Sequence, residues 1–266
     1  MRAFRSLLLV ALTALSFAAT PAGATSCSTD NSDLWWNSNE SGWGIQFIQR
    51  SCVIFATMFV YDAANNPVWY TATLNPQPSP LVWAGTLYAT RGPWLGANPF
   101  NPSVVVYRAV GTMTWSAPFV NGGTLTYSVD SVPVTKSLVR LPAAIDDFSG
   151  TFYGGLHETD TGCVNTSLNG TSESLAAVNI VQNGTSITIT TAITTVTCTY
   201  IGTLRQDGQF GSITGGFACT SGAQGTFQLF EVAVSVNDIR GRYTASGSGA
   251  TLGCQANGYF AGFRHR

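Results

Sequence analysis

The chain has 266 residues, of which 9% are charged, 12% aromatic and 45% hydrophobic, with a formal net charge of −1. That balance excludes a disordered chain, which combines low hydrophobicity with high net charge. It also excludes a nucleic-acid binder, which needs clustered Lys and Arg to neutralise phosphate.

The N-terminus, residues 1–24, reads as a secretory signal peptide. Arg2 and Arg5 give it a positive start, residues 7–19 form its apolar core, and Ala22-Gly23-Ala24 matches a small-x-small cleavage pattern. The apolar run is too short for a membrane anchor, which needs about 20 residues, and no later stretch is a candidate span. Without Arg2 and Arg5, ten basic residues face thirteen acidic ones, a formal charge of −3. All six Cys lie beyond the cleavage site, and an even number in an exported chain implies disulfides. The expected location is therefore secreted or periplasmic. There is no CxxC pair and there are two His, so no metal and no cofactor are expected.

Low charge with many β-branched and aromatic residues favours strands over helices. After a polar stretch, residues 43–49 alternate with Trp43, Ile45 and Phe47 on one side, the period of a half-buried strand. Residues 53–61 are apolar on both sides and predict a strand covered on both faces. Asn65-Asn66-Pro67 marks a turn, and residues 68–74 a third strand. Strands follow at 81–90, 104–115 with a bulge at Gly111, 124–129 and 134–141. A long Pro-rich loop at 91–102 carries Trp94, and Asn121-Gly122-Gly123 is a hairpin signal.

Pro142-Ala143-Ala144 reads as a linker. Beyond it there is no Trp, and strands are expected at 150–157, 163–168, 176–182, 186–191, 195–204, 210–219, 225–234, 240–246 and 258–263. Asn183-Gly184 and Asp207-Gly208 are the sharpest turn signals. A weak repeat relates Asp147-Phe148-Ser149-Gly150-Thr151-Phe152 to Asp238-Ile239-Arg240-Gly241-Arg242-Tyr243 at an offset that also relates Cys163 to Cys254. Barrel closure would make those two strands neighbours.

The fold expected is all-β: two antiparallel meander domains, 28–142 and 146–266, each a small up-and-down barrel or strongly curled sheet. Closure removes exposed edges; a β-sandwich is the alternative. If the domains are independent, Cys27 pairs with Cys52, the only two Cys of the first half. Cys198 and Cys219 flank the Asp207-Gly208 hairpin almost symmetrically, which leaves Cys163 with Cys254 among three possible pairings.

The first half carries Trp35-Trp36-Asn37 with Glu40-Ser41-Gly42-Trp43-Gly44, then Ile54-Phe55-Ala56-Thr57, then Pro67-Val68-Trp69-Tyr70. These resemble a family of uncharacterised exported bacterial proteins with a W-W-N-x-x-E-S-G-W-G motif, over roughly 33–141. The resemblance implies export and a β-fold, and no activity or ligand. Asp130-Ser131 departs from it, where the family commonly has Asn-Gly.

Trp35, Trp36, Asn37, Glu40, Trp69 and Trp94 are the candidate ligand-binding residues, because aromatic faces pack on flat apolar groups while Glu40 and Asn37 add directed hydrogen bonds. The competing reading is a barrel plug, with Trp35 or Trp43 closing the bottom and Gly42 and Gly44 allowing close backbone approach. No catalytic residue is assigned: His157, Glu158 and Asp160 complete no triad, and no G-x-S-x-G elbow occurs. The functional expectation is an exported, non-enzymatic binding or interaction protein whose partner is a small molecule, a glycan or another protein. Its ligand site is expected in the Trp-rich domain. The alternatives are a secreted hydrolase of polysaccharide or envelope polymers with Glu40 as its acid, and an exported inhibitor.

Overall fold

The structure, a computed structural model, describes residues 27, 29–193, 195–248 and 253–265. The signal-peptide assignment lies outside them. The first eight strands are β1 (Asp33–Trp36), β2 (Gly44–Arg50), β3 (Val53–Tyr61), β4 (Pro67–Pro76), β5 (Val82–Arg91), β6 (Val106–Phe119), β7 (Gly122–Val129) and β8 (Val132–Arg140). They form one antiparallel meander that closes where β1 pairs with β8. The second eight are β9 (Gly150–Thr161), β10 (Gly170–Asn183), β11 (Ser186–Ile193), β12 (Val196–Asp207), β13 (Phe210–Cys219), β14 (Gln224–Val234), β15 (Asp238–Ser248) and β16 (Gln255–Arg264). They close in the same way through β9 and β16. Two closed barrels replace the sandwich alternative.

Turn chemistry sets the hairpins. Gly184 and Gly208 both have φ +60°, as the two tight turns require. Asp130 and Ser131 adopt positive φ without glycine, at 47° and 70°. The bulge expected at Gly111 falls beside it, at Val110: Leu87 pairs with Gly111 and Tyr88 with Ala109, which leaves Val110 as the extra residue. Three expectations change. Residues 163–168 are no strand but a loop with a short 3-10 turn at Thr166–Leu168, because Asn165 accepts from the Ser167 N–H and Asn169 from the Cys163 N–H. The outer face of β3 is not covered: Phe55, Phe59 and Tyr61 stay 46–58% exposed. The repeated segments begin β9 and β15, which are not neighbours because β16 lies between them.

All three disulfides form as the spacing predicts, Cys27–Cys52, Cys163–Cys254 and Cys198–Cys219. Among the described residues no helix is long and apolar enough to cross a membrane.

Both barrels end on the same device. Trp35 on β1 stands opposite Arg140 on β8, and Phe152 on β9 opposite Arg264 on β16. Each guanidinium lies over its aromatic partner, at 4.5 Å from the Trp35 ring centroid and 4.7 Å from that of Phe152. The Arg140 side chain is wholly buried. Burial works against its charge, and Asp33 at 2.9 Å holds it, helped by the carbonyls of Asp30, Ser32 and Val120. The joint continues into the second barrel. Phe210 covers the other side of Arg140 at 4.8 Å, the Gln209 N–H donates to Asp33 Oδ2 and Gln209 Nε2 donates to the Ser32 carbonyl. Gly208 is needed there twice, for its positive φ and because a Cβ would sit 2.0 Å from Asp33 Oδ2. The β12–β13 turn is thus seated on the closed end of the first barrel.

Replacing Arg140 by Met keeps the stem but leaves Asp33, 12% exposed, without its counter-charge. Urea unfolding is expected to show a loss of about 3–5 kcal/mol. Arg140→Lys should not restore it, since an ammonium cannot stack and fork as a guanidinium does. A loss below about 1 kcal/mol for Arg140→Met would contradict this role.

Candidate functional site

The interiors of the two barrels are filled differently. In the first, Trp35, Phe47, Trp83 and Trp115 are all within 2% of complete burial, packed with Ile45, Ile54, Met58, Leu74, Leu87 and Met113. The Trp35 and Trp115 rings meet edge-on at 4.8 Å, with Phe47 against both. Each buried indole donor has an acceptor: Trp35 the Asn31 carbonyl, Trp115 the Asn31 side chain, Trp83 the Cys52 carbonyl. Asn31, itself 2% exposed, donates on to Gln49.

The residues singled out in the sequence therefore separate. Trp35, expected among the ligand contacts, is core at 1% exposure and lies under Arg140 at that end of the barrel. Trp43 belongs to the opposite end, partly buried against the core, its indole donating to Glu40 at 3.1 Å. Glu40 also pairs with Lys136 at 2.7 Å. The hydrogen bond from Lys136 holds the Glu40 carboxyl below its ordinary range, so it stays ionised. Gly42 has φ +107°, and Gly44 lies close to the Trp35 carbonyl, where a Cβ would be 3.2 Å away. Trp36 and Asn37 are half-buried, the Asn37 side chain accepting from the Asn39 N–H. Trp69 faces outward at 57% exposure and donates to Thr90, and Trp94 is 79% exposed on its loop. These six candidates do not line one cleft.

In the second barrel the inward positions carry smaller groups. Gly154 faces Gly262 and Gly202 faces Gly215 across adjacent strands. A Cβ at Gly154 would lie 1.9 Å from the Ala261 carbonyl oxygen, so glycine permits the sharp coiling of the sheet there. The result is a cavity of about 120 Å³. Its apolar walls include Phe148, Phe152, Val178, Ile189, Phe227 and Phe260, and its polar groups are Glu158, Thr191, Tyr200 and Tyr243. The Tyr243 hydroxyl, on a residue only 8% exposed, donates to Glu158 Oε2 at 2.6 Å.

Burial pushes the Glu158 carboxyl up, against the pull of the Tyr243 hydrogen bond, and the negative charge of Asp160 adds to it. Burial likewise raises Asp160. Tyr243 is pushed up by burial and by Glu158. A buried hydroxyl fixed on a desolvated carboxyl, inside an apolar chamber, is a common setting for ligand recognition.

The sequence held a signal for this site. Phe152, Gly154, Leu156, Glu158 and Asp160 alternate along one face of β9, so two acids share the period of an apolar interior. The repeat also pointed to it: Phe148, Phe152, Ile239 and Tyr243, two from each copy, all line the cavity. Among the described residues no group of three or more His, Cys, Asp or Glu could hold a metal ion.

Fold and cavity together define a tandem β-barrel protein with an internal chamber in its second barrel. The chain matches no family model and no curated protein.

Glu158 has a native pKa above its ordinary 4.5. The native state then binds more protons than the unfolded one, so its contribution to stability is fullest at acid pH. It is lost as pH rises from the ordinary carboxylate range through the raised value. Glu158→Gln removes that loss. Thermal melts across pH should show the variant gaining on the parent as pH rises to neutral, and a constant difference would contradict the burial of this charge.

Proposed function

We propose that the chain is an exported, non-enzymatic binding protein and that the second barrel is its ligand chamber. One observation carries the reading, the apolar cavity with a few convergent polar groups at Glu158, Thr191, Tyr200 and Tyr243. Eight-stranded barrels have an interior that either fills with side chains or holds one small ligand, and this chain has one interior tending to each solution. An engineered apolar cavity of about 150 Å³ binds benzene, so a volume of about 120 Å³ suits a single ring or a short branched chain. Three disulfides support a working place outside the reducing cytosol, and the export reading rests on the N-terminal sequence.

The hydrolase alternative asked Glu40 to act as a general acid. A carboxyl held ionised by Lys136 is poorly suited to give up a proton at neutral pH. Nothing observed favours the inhibitor reading.

Toluene, matched to the cavity in size, is the probe. It is expected to raise the melting temperature of the parent protein. Ala176 lines the chamber, and Ala176→Phe should abolish that rise by occupying the space. The reading is overturned if Ala176→Phe leaves the rise intact while Trp69→Ala, on the outer face of the first barrel, removes it.

A further inference from the structure

The chamber is chemically asymmetric, and its asymmetry names a ligand class. Along β9 the inward side chains run from Phe152 through Leu156 to Glu158 and then Asp160. Leu156 and Glu158 are two residues apart, about 7 Å along the strand. One end is thus closed by Phe148 and Phe152, and the other presents a carboxyl group. That carboxyl has a fixed orientation, because Tyr243 donates to one of its oxygens.

Among the described residues it has no cationic partner. The ion pairs of the described residues go elsewhere, and none joins a cationic side chain to Glu158 or Asp160. His157, between them and Phe152 in sequence, points to the other face of the sheet, where it stacks on Tyr259 at 4.6 Å and meets Glu173. The rings of Tyr200, Phe227, Tyr243 and Phe260 surround the same space. Aromatic faces attract cations, more strongly when desolvated.

Resting on the reading of the second barrel as a ligand chamber, we propose that its ligand is a small protonated amine with a ring-sized apolar body. The ammonium group meets Glu158, and the body lies toward Phe152. Three classes of competitor are disfavoured on simple grounds. A carboxylic acid brings a second negative charge toward Glu158 and Asp160. A neutral hydrocarbon leaves the carboxyl of Glu158 desolvated without compensation. A neutral alcohol satisfies one hydrogen bond but no charge. An ammonium supplies donors and the missing positive charge together.

The test compares four probes of one shape by titration calorimetry at neutral pH: benzylamine, benzyl alcohol, toluene and benzoate. In the parent protein benzylamine is expected to bind about tenfold more tightly than benzyl alcohol, and benzoate most weakly. In Glu158→Gln, which keeps an acceptor for Tyr243, benzylamine should fall to the level of benzyl alcohol, while toluene binds at least as tightly as in the parent, since a neutral amide costs less to desolvate than a carboxylate. The ranking in the parent protein decides the question even if the variant does not fold. Toluene or benzyl alcohol binding as tightly as benzylamine overturns the amine assignment and leaves the chamber standing. The amine assignment also falls if a folded Glu158→Gln keeps the preference for benzylamine. If none of the four probes binds, both the chamber and its amine are overturned.

Discussion

A meander of eight strands becomes a barrel only if its last strand returns to its first, and the seam is also where a barrel end must be closed. In this protein the seam carries an arginine laid flat on an aromatic ring, Arg140 on Trp35 and Arg264 on Phe152. The stacking fixes which residues of the closing strands stand opposite each other, and a one-residue slip would turn every inward side chain outward. It also brings a formal charge into the barrel floor, which obliges the neighbourhood to satisfy it. At Arg140 the obligation extends through Asp33 to Gln209 and Gly208, so the charge that closes one barrel also seats the turn of the other. At Arg264 the partners are the Ser149 and Ser235 carbonyls, within its own barrel.

From a shared closure the two interiors diverge by residue size. Trp35, Trp83 and Trp115 leave the first barrel solid, and Asn31, held by Gln49, serves the indoles of Trp35 and Trp115. The second uses Gly154, Gly202, Gly215 and Gly262 at inward positions and relies on Cys198–Cys219 across β12 and β13 for support. Space is retained, and among the described residues the acid at its rim has no basic partner. Solid barrel and hollow barrel are the same topology with different side-chain volumes.

Much of this was legible in the sequence. Period-two alternation and the Asn-Gly and Asp-Gly turns placed fifteen of the sixteen strands, and symmetry about the 207–208 turn paired Cys198 with Cys219. β1 was hidden because it has four residues and two adjacent Trp, which read as a motif rather than an alternation. Residues 163–168 misled in the opposite direction, since Thr and Val raise strand propensity while Asn165 and Asn169 use their side chains to turn the backbone. The ligand site was expected where the Trp residues cluster. Sequence shows the size of a side chain but not the direction in which strand register points it. Trp35 turns inward to fill space, Trp69 turns outward to Thr90, and the emptier interior belongs to the half without Trp. Glu158 and Tyr243 lie 85 positions apart and become partners only through closure of β9 on β16 beside β15.

The seven Trp all belong to the first barrel, which makes the protein its own reporter. Two-dimensional NMR during titration with toluene would follow the indole N–H signals of that barrel and the isoleucine methyl signals of Ile180, Ile189 and Ile213 in the second. The account predicts saturable shifts of those methyl signals while the indole signals stay in place. Saturable shifts of the indole signals with the isoleucine methyls unmoved would contradict it.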